Sequence, residues 1–206
     1  MEKTFSRETA ACFTGHREIP ARDIPAVRKR VASALLQAYG NGYRVFYCGG
    51  ARGFDTIAAR EVLRFREEHP EVRLVIAVPC ASQADRWPAE DRETYREILD
   101  AADEAVILSE TYYNGCMQHR NRYMVDRSSL CLCYMVRFEG GTWYTARYAM
   151  QEGILLKNLA MKDADASVVL RENSWNSTST FRSVSGNAGI VHLSRFRQRK
   201  AGKRNT

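Results

Sequence analysis

The chain has no apolar run near the roughly 18 residues that a membrane-spanning helix needs. Its first ten residues alternate charged and polar side chains, without the apolar core of a secretion signal. Both absences exclude a membrane partner and lead us to expect a soluble, cytoplasmic protein. Internal repeats are missing too, which removes solenoids and propellers. The four histidines, His16, His69, His119 and His192, do not cluster with any cysteine pair as a zinc site requires, so no metal is expected. Six cysteines without an export signal are expected to be reduced. Four of them, Cys12, Cys48, Cys131 and Cys133, lie inside apolar runs and read as small core hydrophobes.

What is present is an ordinary globular balance. With 45% hydrophobic and 27% charged residues in 206 positions, the chain is neither disordered throughout nor fibrous. That length suits one domain with a tail, or at most two small domains. The formal charge of +7 is unevenly placed: from Asp163 onward eight Lys/Arg face three acids, a surplus of five, which leaves +2 for residues 1–162. Basicity therefore belongs mainly to the C-terminal segment, and an overall positive charge says little about the folded body.

The apolar pattern changes period repeatedly. A short run at 10–13 enters Thr14-Gly15-His16-Arg17, and Ile24, Val27, Val31, Ala34, Leu35 and Ala38 then recur at helical spacing after Asp23 and Pro25 and before Gly40. Segment 44–48 (RVFYC) reads as a strand, followed by a helix through Ile57, Ala58, Val62 and Phe65. Segment 73–78 (RLVIAV) is apolar almost throughout, as a strand buried on both faces should be. A helical stripe of Tyr95, Ile98, Leu99 and Ala102 precedes a strand at 104–108, a helix at 117–125 and a strand at 130–136. A helix at 145–152 and a last short strand at 159–161 close the series. Strand and helix alternating about five times predict an open, mostly parallel sheet with helices on both faces. Residues 1–162 form that domain. Residues 163–206, rich in Ser and Asn and then basic at 195–204, read as a tail or appendage, or else as a small hairpin of 167–170 with 190–193.

In such sheets ligands bind outside the carboxyl ends of the strands. Three of those ends carry suggestive turns. Gly49-Gly50-Ala51-Arg52-Gly53-Phe54-Asp55 lies directly between a strand and a helix, where free amides and the helix dipole favour an anion; it reads equally as a tight turn with Asp55 as N-cap. Gly140-Gly141-Thr142 has the same setting and a hydroxyl. Thr14-Gly15-His16-Arg17 adds an imidazole and a guanidinium able to clamp phosphate.

Taken with Pro79, Gln83 and Trp87, and with Arg120-Asn121 and Asp126, these motifs resemble the YpsA-like branch of the SLOG superfamily. That superfamily also holds the DprA DNA-processing proteins and the LOG phosphoribohydrolases. The resemblance spans about residues 10–161. It implies a Rossmann-like domain that holds a nucleotide or a nucleotide-derived ligand of the NAD or ADP-ribose type, whose identity the motifs leave open. Carried over, Gly49, Gly50, Gly53, Gly140, Gly141 and Thr142 would contact phosphate, with Arg52 in the same loop and Asp55 beside the ligand. Thr14, Gly15, His16 and Arg17 would close the site; Arg120, Asn121 and Asp126 would line its far wall. Trp87 would stack on a base or pack over the sheet.

Three functions compete. The first is binding or sensing of such a ligand, since no complete catalytic set is visible. The second is a LOG-like hydrolase of an N-glycosidic bond, which needs an acid or base beside an oxocarbenium-like centre. LOG proteins place a glutamate shortly after their second Gly-Thr motif, where this chain has Thr145 and no acid before Glu152. Asp55 or Asp126 would have to act instead, so catalysis stays open. The third is a DprA-like single-stranded nucleic-acid binder using Arg195, Arg197, Arg199, Lys200, Lys203 and Arg204, with Phe196 interleaved. A homo-oligomer is compatible with all three.

Overall fold

A strand covered by helices on both faces must be apolar on both, and the sequence AACFTG meets that condition: β1 (Ala10–Gly15) is buried along nearly its whole length. A computed structural model describes residues 5–160. After β1 the order is α1 (Ile24–Gly40), β2 (Val45–Cys48), α2 (Phe54–Glu68), β3 (Arg73–Val78), α3 (Ala89–Ala101), β4 (Glu104–Ile107), α4 (Cys116–Asp126), β5 (Leu130–Tyr134), α5 (Gly140–Gln151) and β6 (Leu155–Asn158). The six strands form one sheet in the order β4-β3-β2-β1-β5-β6, and every pairing is parallel. The architecture is therefore the expected Rossmann-like α/β fold.

Strand order determines where helices lie. From β1 the chain steps outward through β2 and β3 to β4, so right-handed crossovers put α1, α2 and α3 on one face. Helix α4 then carries the chain back past β1 to β5, and α4 and α5 cover the opposite face. Two buried layers record this division. One holds Phe13, Phe46, Phe54, Leu74 and Ile76 under α1 and α2, and the other holds Cys12, Tyr47, Cys131, Cys133 and Ala146 under α4 and α5. All six cysteines are buried and unpaired. The direction reverses between β1 and β5, which opens the crevice between their carboxyl ends.

Some boundaries differ from the sequence pattern. Strand β5 stops at Tyr134 instead of continuing to Val136, because Val136 is exposed and its amide turns to a side chain. The segment Gly140-Gly141-Thr142 is the first turn of α5 and not a loop before it. The last strand is Leu155–Asn158 and not 159–161: the chain leaves α5 at Gly153 and pairs with β5 at once. The tail at 163–206, its hairpin alternative and its basic run lie outside the described residues. Among the described residues no helix is long and apolar enough to cross a membrane.

The tightest approach in the fold joins the end of β1 to the start of α2. Phe54 donates its amide to the carbonyl of His16 at 3.0 Å, and its ring stacks on Tyr134 with centroids 5.7 Å apart. Any side chain at Gly15 would collide with the Phe54 ring. Gly53 has φ 77°, and a Cβ there would run into the backbone carbonyls of His16 and Arg17. Gly42 has φ 90° with open space around it. Gly53→Ala is therefore expected to lose about 3 kcal/mol or more, strain and collision together, against about 1 kcal/mol for Gly42→Ala from strain alone. Urea unfolding midpoints compare the two; equal losses would contradict the contact at Gly53.

Candidate functional site

The glycine turn after β2 is filled from inside the protein. Gly49 and Gly50 are buried, and the space that a Cβ at Gly49 would need is taken by the Arg120 guanidinium and the Asp55 carboxylate. Arg120 reaches from α4 and donates through Nη1 to the carbonyl of Gly49, and to that of Ala77 at 3.4 Å. Gln83 Nε2 donates to the carbonyls of Gly49 and Gly50 at 3.3 and 3.2 Å. Asp55, in the first turn of α2, accepts the Ala51 amide at 3.2 Å. The carboxylate therefore stands where an anion was expected to meet the turn. Arg52 points outward and pairs with Asp91 at 2.7 Å.

Burial is the main influence on the Asp55 carboxyl and pushes its pKa up to about 6; Arg120, the Ala51 amide and Arg17 pull the other way. An isolated buried carboxylate would lie higher still, so this cationic and amide surround keeps the group largely ionised at neutral pH.

A second buried group brackets β1 to the β5–α5 connection. His16 Nε2 accepts the amides of Val136 and Arg137 at 2.9 and 3.2 Å, so that nitrogen carries no proton. Burial lowers its pKa, and Arg137 lowers it further against a smaller opposing pull from Glu139. Protonation would sever both hydrogen bonds.

Between these groups a cleft of about 460 Å³ opens at the carboxyl ends of β1 and β5. Its walls include Thr14, Gly15, His16 and Arg17 from the end of β1, Ala51 and Asp55, Arg120 and Asn121 from α4, and Gly140, Gly141 and Thr142 from α5. The N-terminus of the 12-residue α5 faces this space, with Glu139 at its N-cap making no capping hydrogen bond. Its first amides lack intrahelical acceptors and its dipole favours an anion. Gly141 has nothing within 4 Å of a notional Cβ, so the helix end is open to a visitor. Arg17 is exposed at the mouth. Arg120 is 5% exposed; its Nε donates to Asn121 at 2.8 Å, and among the described residues no hydrogen bond engages its second η nitrogen.

Ten of the residues expected from the sequence thus share one cleft, with Ala51 beside them. Others are elsewhere. Gly49 and Gly50 are turned inward, and Arg52 and Gly53 line a neighbouring cleft. Trp87 packs edge-on against Tyr95, with centroids 5.4 Å apart, and is not on the cleft wall. Asp126 sits at the last turn of α4 and accepts from the Tyr148 hydroxyl at 2.7 Å. Arg137, Glu139 and Met117 line the cleft without having been singled out. Only the position of Arg137, a cation directly after an apolar strand and before Gly140-Gly141, signalled it. Among the described residues no group of three His, Cys, Asp or Glu side chains gathers as a metal set.

Fold and geometry together define a Rossmann-like domain with a crevice at the switch point of its sheet, lined by Arg17, Arg120 and the start of α5. The chain belongs to the YspA SLOG family, whose profile matches residues 15–163. It is 29% identical over 109 residues to a UPF0398 protein of Halalkalibacterium halodurans, an overlap covering 52% of this chain and 58% of that protein. Over 121 residues it is 31% identical to the SPbeta prophage-derived protein YoqJ of Bacillus subtilis, covering 53% and 70%. Among solved structures, DNA processing protein A from Helicobacter pylori superposes with a TM-score of 0.52 at 19% identity, covering 73% of this chain and 64% of that one. At that identity the shared feature is the fold.

The two buried groups bend the pH dependence of stability in opposite directions. For His16, the native pKa lies below the unfolded value of about 6.5, so its contribution is present above that pH and is lost on acidification. For Asp55, the native value of about 6 exceeds the ordinary 3.8, so the native state takes up a proton first and stability rises as pH falls from 6 towards 4. Asp55→Asn removes only the second effect. Its stability should therefore fall more steeply than that of the parent between pH 6 and 4.5, by up to about 1.4 kcal/mol per pH unit. Urea midpoints across that range give the two slopes; parallel curves would contradict the elevated Asp55 pKa.

Proposed function

We propose that the cleft between β1, β5 and the N-terminus of α5 binds a nucleotide or a nucleotide-derived ligand by its phosphate, and that residues 1–162 act as a ligand-binding or sensing domain to which 163–206 are appended. One observation carries the reading: the uncapped start of α5 opens on the same 460 Å³ as the guanidinium groups of Arg17 and Arg120. Amides of Gly141 and Thr142, the Thr142 hydroxyl and a guanidinium are the donors that phosphate oxygens accept best. The volume suits one nucleotide-sized body.

Binding without turnover is favoured by how the acids are used. Glycoside hydrolysis needs a carboxyl group free to give or take a proton beside the sugar. Asp55 is held by the Ala51 amide and faces Arg120, while Asp126 is bonded to Tyr148 outside the cleft.

A second reading, contact with single-stranded nucleic acid, is favoured by Arg137 standing at the cleft mouth between exposed Val136 and Phe138. The Helicobacter pylori protein of the same fold is described by its single-stranded DNA binding mode. The basic run expected to serve such contact lies outside the described residues.

The test is a thermal-shift screen with AMP, GMP, NAD, ADP-ribose, cyclic dinucleotides and a short single-stranded DNA, repeated on Arg17→Ala and Gly141→Asp. A ligand at 100 times its Kd adds about 2.7 kcal/mol, visible as a clear rise in Tm. Both substitutions lie at exposed positions and should leave the unliganded Tm nearly unchanged, while weakening the ligand by tenfold or more. Stabilisation by a nucleotide that neither variant reduces would overturn the assignment of the cleft. Binding confined to DNA, steeply weakened by salt, would select the second reading.

A further inference from the structure

The apolar layer under α1 and α2 ends abruptly at one side of the sheet. Ile76 and Val78 of β3 belong to that layer, with Val78 only 3% exposed. Their register neighbours on β4, Ala105 and Ile107, share the face and are exposed, Ile107 at 54%. Val106 points to the opposite face and packs against the second layer. Strand β4 is therefore bare on one face and, as the last strand in the order, along one edge.

The edge is open in its backbone as well. In a parallel ladder alternate residues make both of their bonds to the neighbouring strand, and the residues between them turn amide and carbonyl away. Leu108 donates its amide to the Val78 carbonyl at 2.9 Å, so Glu104, Val106 and Leu108 form the inward set, and Ala105 and Ile107 face outward. The usual guards of an edge strand are missing: segment 104–108 has no lysine and no proline, and its register with β3 runs without a bulge.

This edge complements itself. About a twofold axis perpendicular to the sheet at Val106, antiparallel pairing sets Ala105 opposite Ile107 of a second copy, small against large on the shared face. The outward amides and carbonyls of both residues then form the closely spaced hydrogen-bonded pairs of an antiparallel ladder. The charges match too. At the start of β4, Arg66 and Arg73 both bind Asp103, at 2.7 and 2.8 Å, which leaves a surplus of one positive charge. Beyond the end of the strand stands the exposed acid Glu110. Antiparallel pairing carries the Glu110 of each copy towards the arginine pair of the other.

We infer that this chain forms a homodimer through β4, in which two six-stranded sheets join edge to edge across that twofold axis. Because the strands of the two copies run in opposite directions, their switch-point crevices open towards opposite ends of the dimer. Each crevice stays complete within one chain, and the pairing stands independently of the phosphate site proposed above.

Sedimentation velocity on the full chain tests this, and should show a dimer that forms with rising concentration across the micromolar range. Ile107→Lys puts a charge on the exposed edge; it should leave the Tm of the dilute protein unchanged while raising the dimer dissociation constant tenfold or more. Glu110→Lys should raise it severalfold at low salt, an effect that fades as salt is added. Leu36→Lys, at a comparably exposed position on α1, should leave association as it is in the parent. Hydrogen exchange reads the backbone directly: the amides of Ala105 and Ile107 should slow as the dimer forms. A parent that stays monomeric throughout the micromolar range would overturn the inference. So would a dimer that Ile107→Lys leaves intact, or one in which the Ala105 and Ile107 amides exchange as fast as in the monomer.

Discussion

The buried guanidinium of Arg120 ties the ends of β2 and β3 to α4. It comes from α4, on one face of the sheet, and reaches the carbonyls of Gly49 after β2 and of Ala77 within β3. Beside it lies the Asp55 carboxylate from α2, whose ionisation it supports. Removing one member of such a buried set leaves the other charged and unmatched, at a cost of about 3–5 kcal/mol, so the arrangement constrains the fold as well as the site. Gly49 must be glycine because these two side chains occupy its flank.

That constraint also fills the glycine turn from inside. A glycine turn between a strand and a helix ordinarily offers its amides to an anion. Here Asp55 has taken the Ala51 amide, and Gln83 and Arg120 have taken the carbonyls. The open helix end belongs to α5, across the β1–β5 switch point, where no side chain caps it. His16 holds that end in place by accepting the amides of Val136 and Arg137. The glycine turn and the start of α5 are thus linked through β1: the first is closed by protein groups and the second is open.

The sequence made the fold legible because parallel strands buried on both faces read as apolar runs, as RLVIAV and LCLCY do. The segment GGT was read as a loop because glycine disfavours helix interiors, yet the first turn of a helix tolerates it, and α5 starts there. For the site, the strand-end turns point to the sheet edge where the structure opens a cleft. They did not reveal which glycines face outward, since that depends on Arg120 arriving from a helix 71 residues away in sequence. Trp87 and Asp126 were drawn in by motif position, and their side chains are engaged by Tyr95 and Tyr148 instead. Arg137 carries no pattern beyond its position, a single exposed cation between an apolar strand and Gly140-Gly141.

The central claim is that the anion position is at the α5 helix start and not at the Gly49-Gly50 turn. Amide NMR of the isotope-labelled protein titrated with pyrophosphate tests it most directly, because each backbone N–H reports separately. The account predicts saturable shifts at Gly141, Thr142 and Arg137, with Gly49 and Gly50 nearly still. Shifts concentrated at Gly49, Gly50 and Ala51, with the α5 amides unmoved, would contradict it.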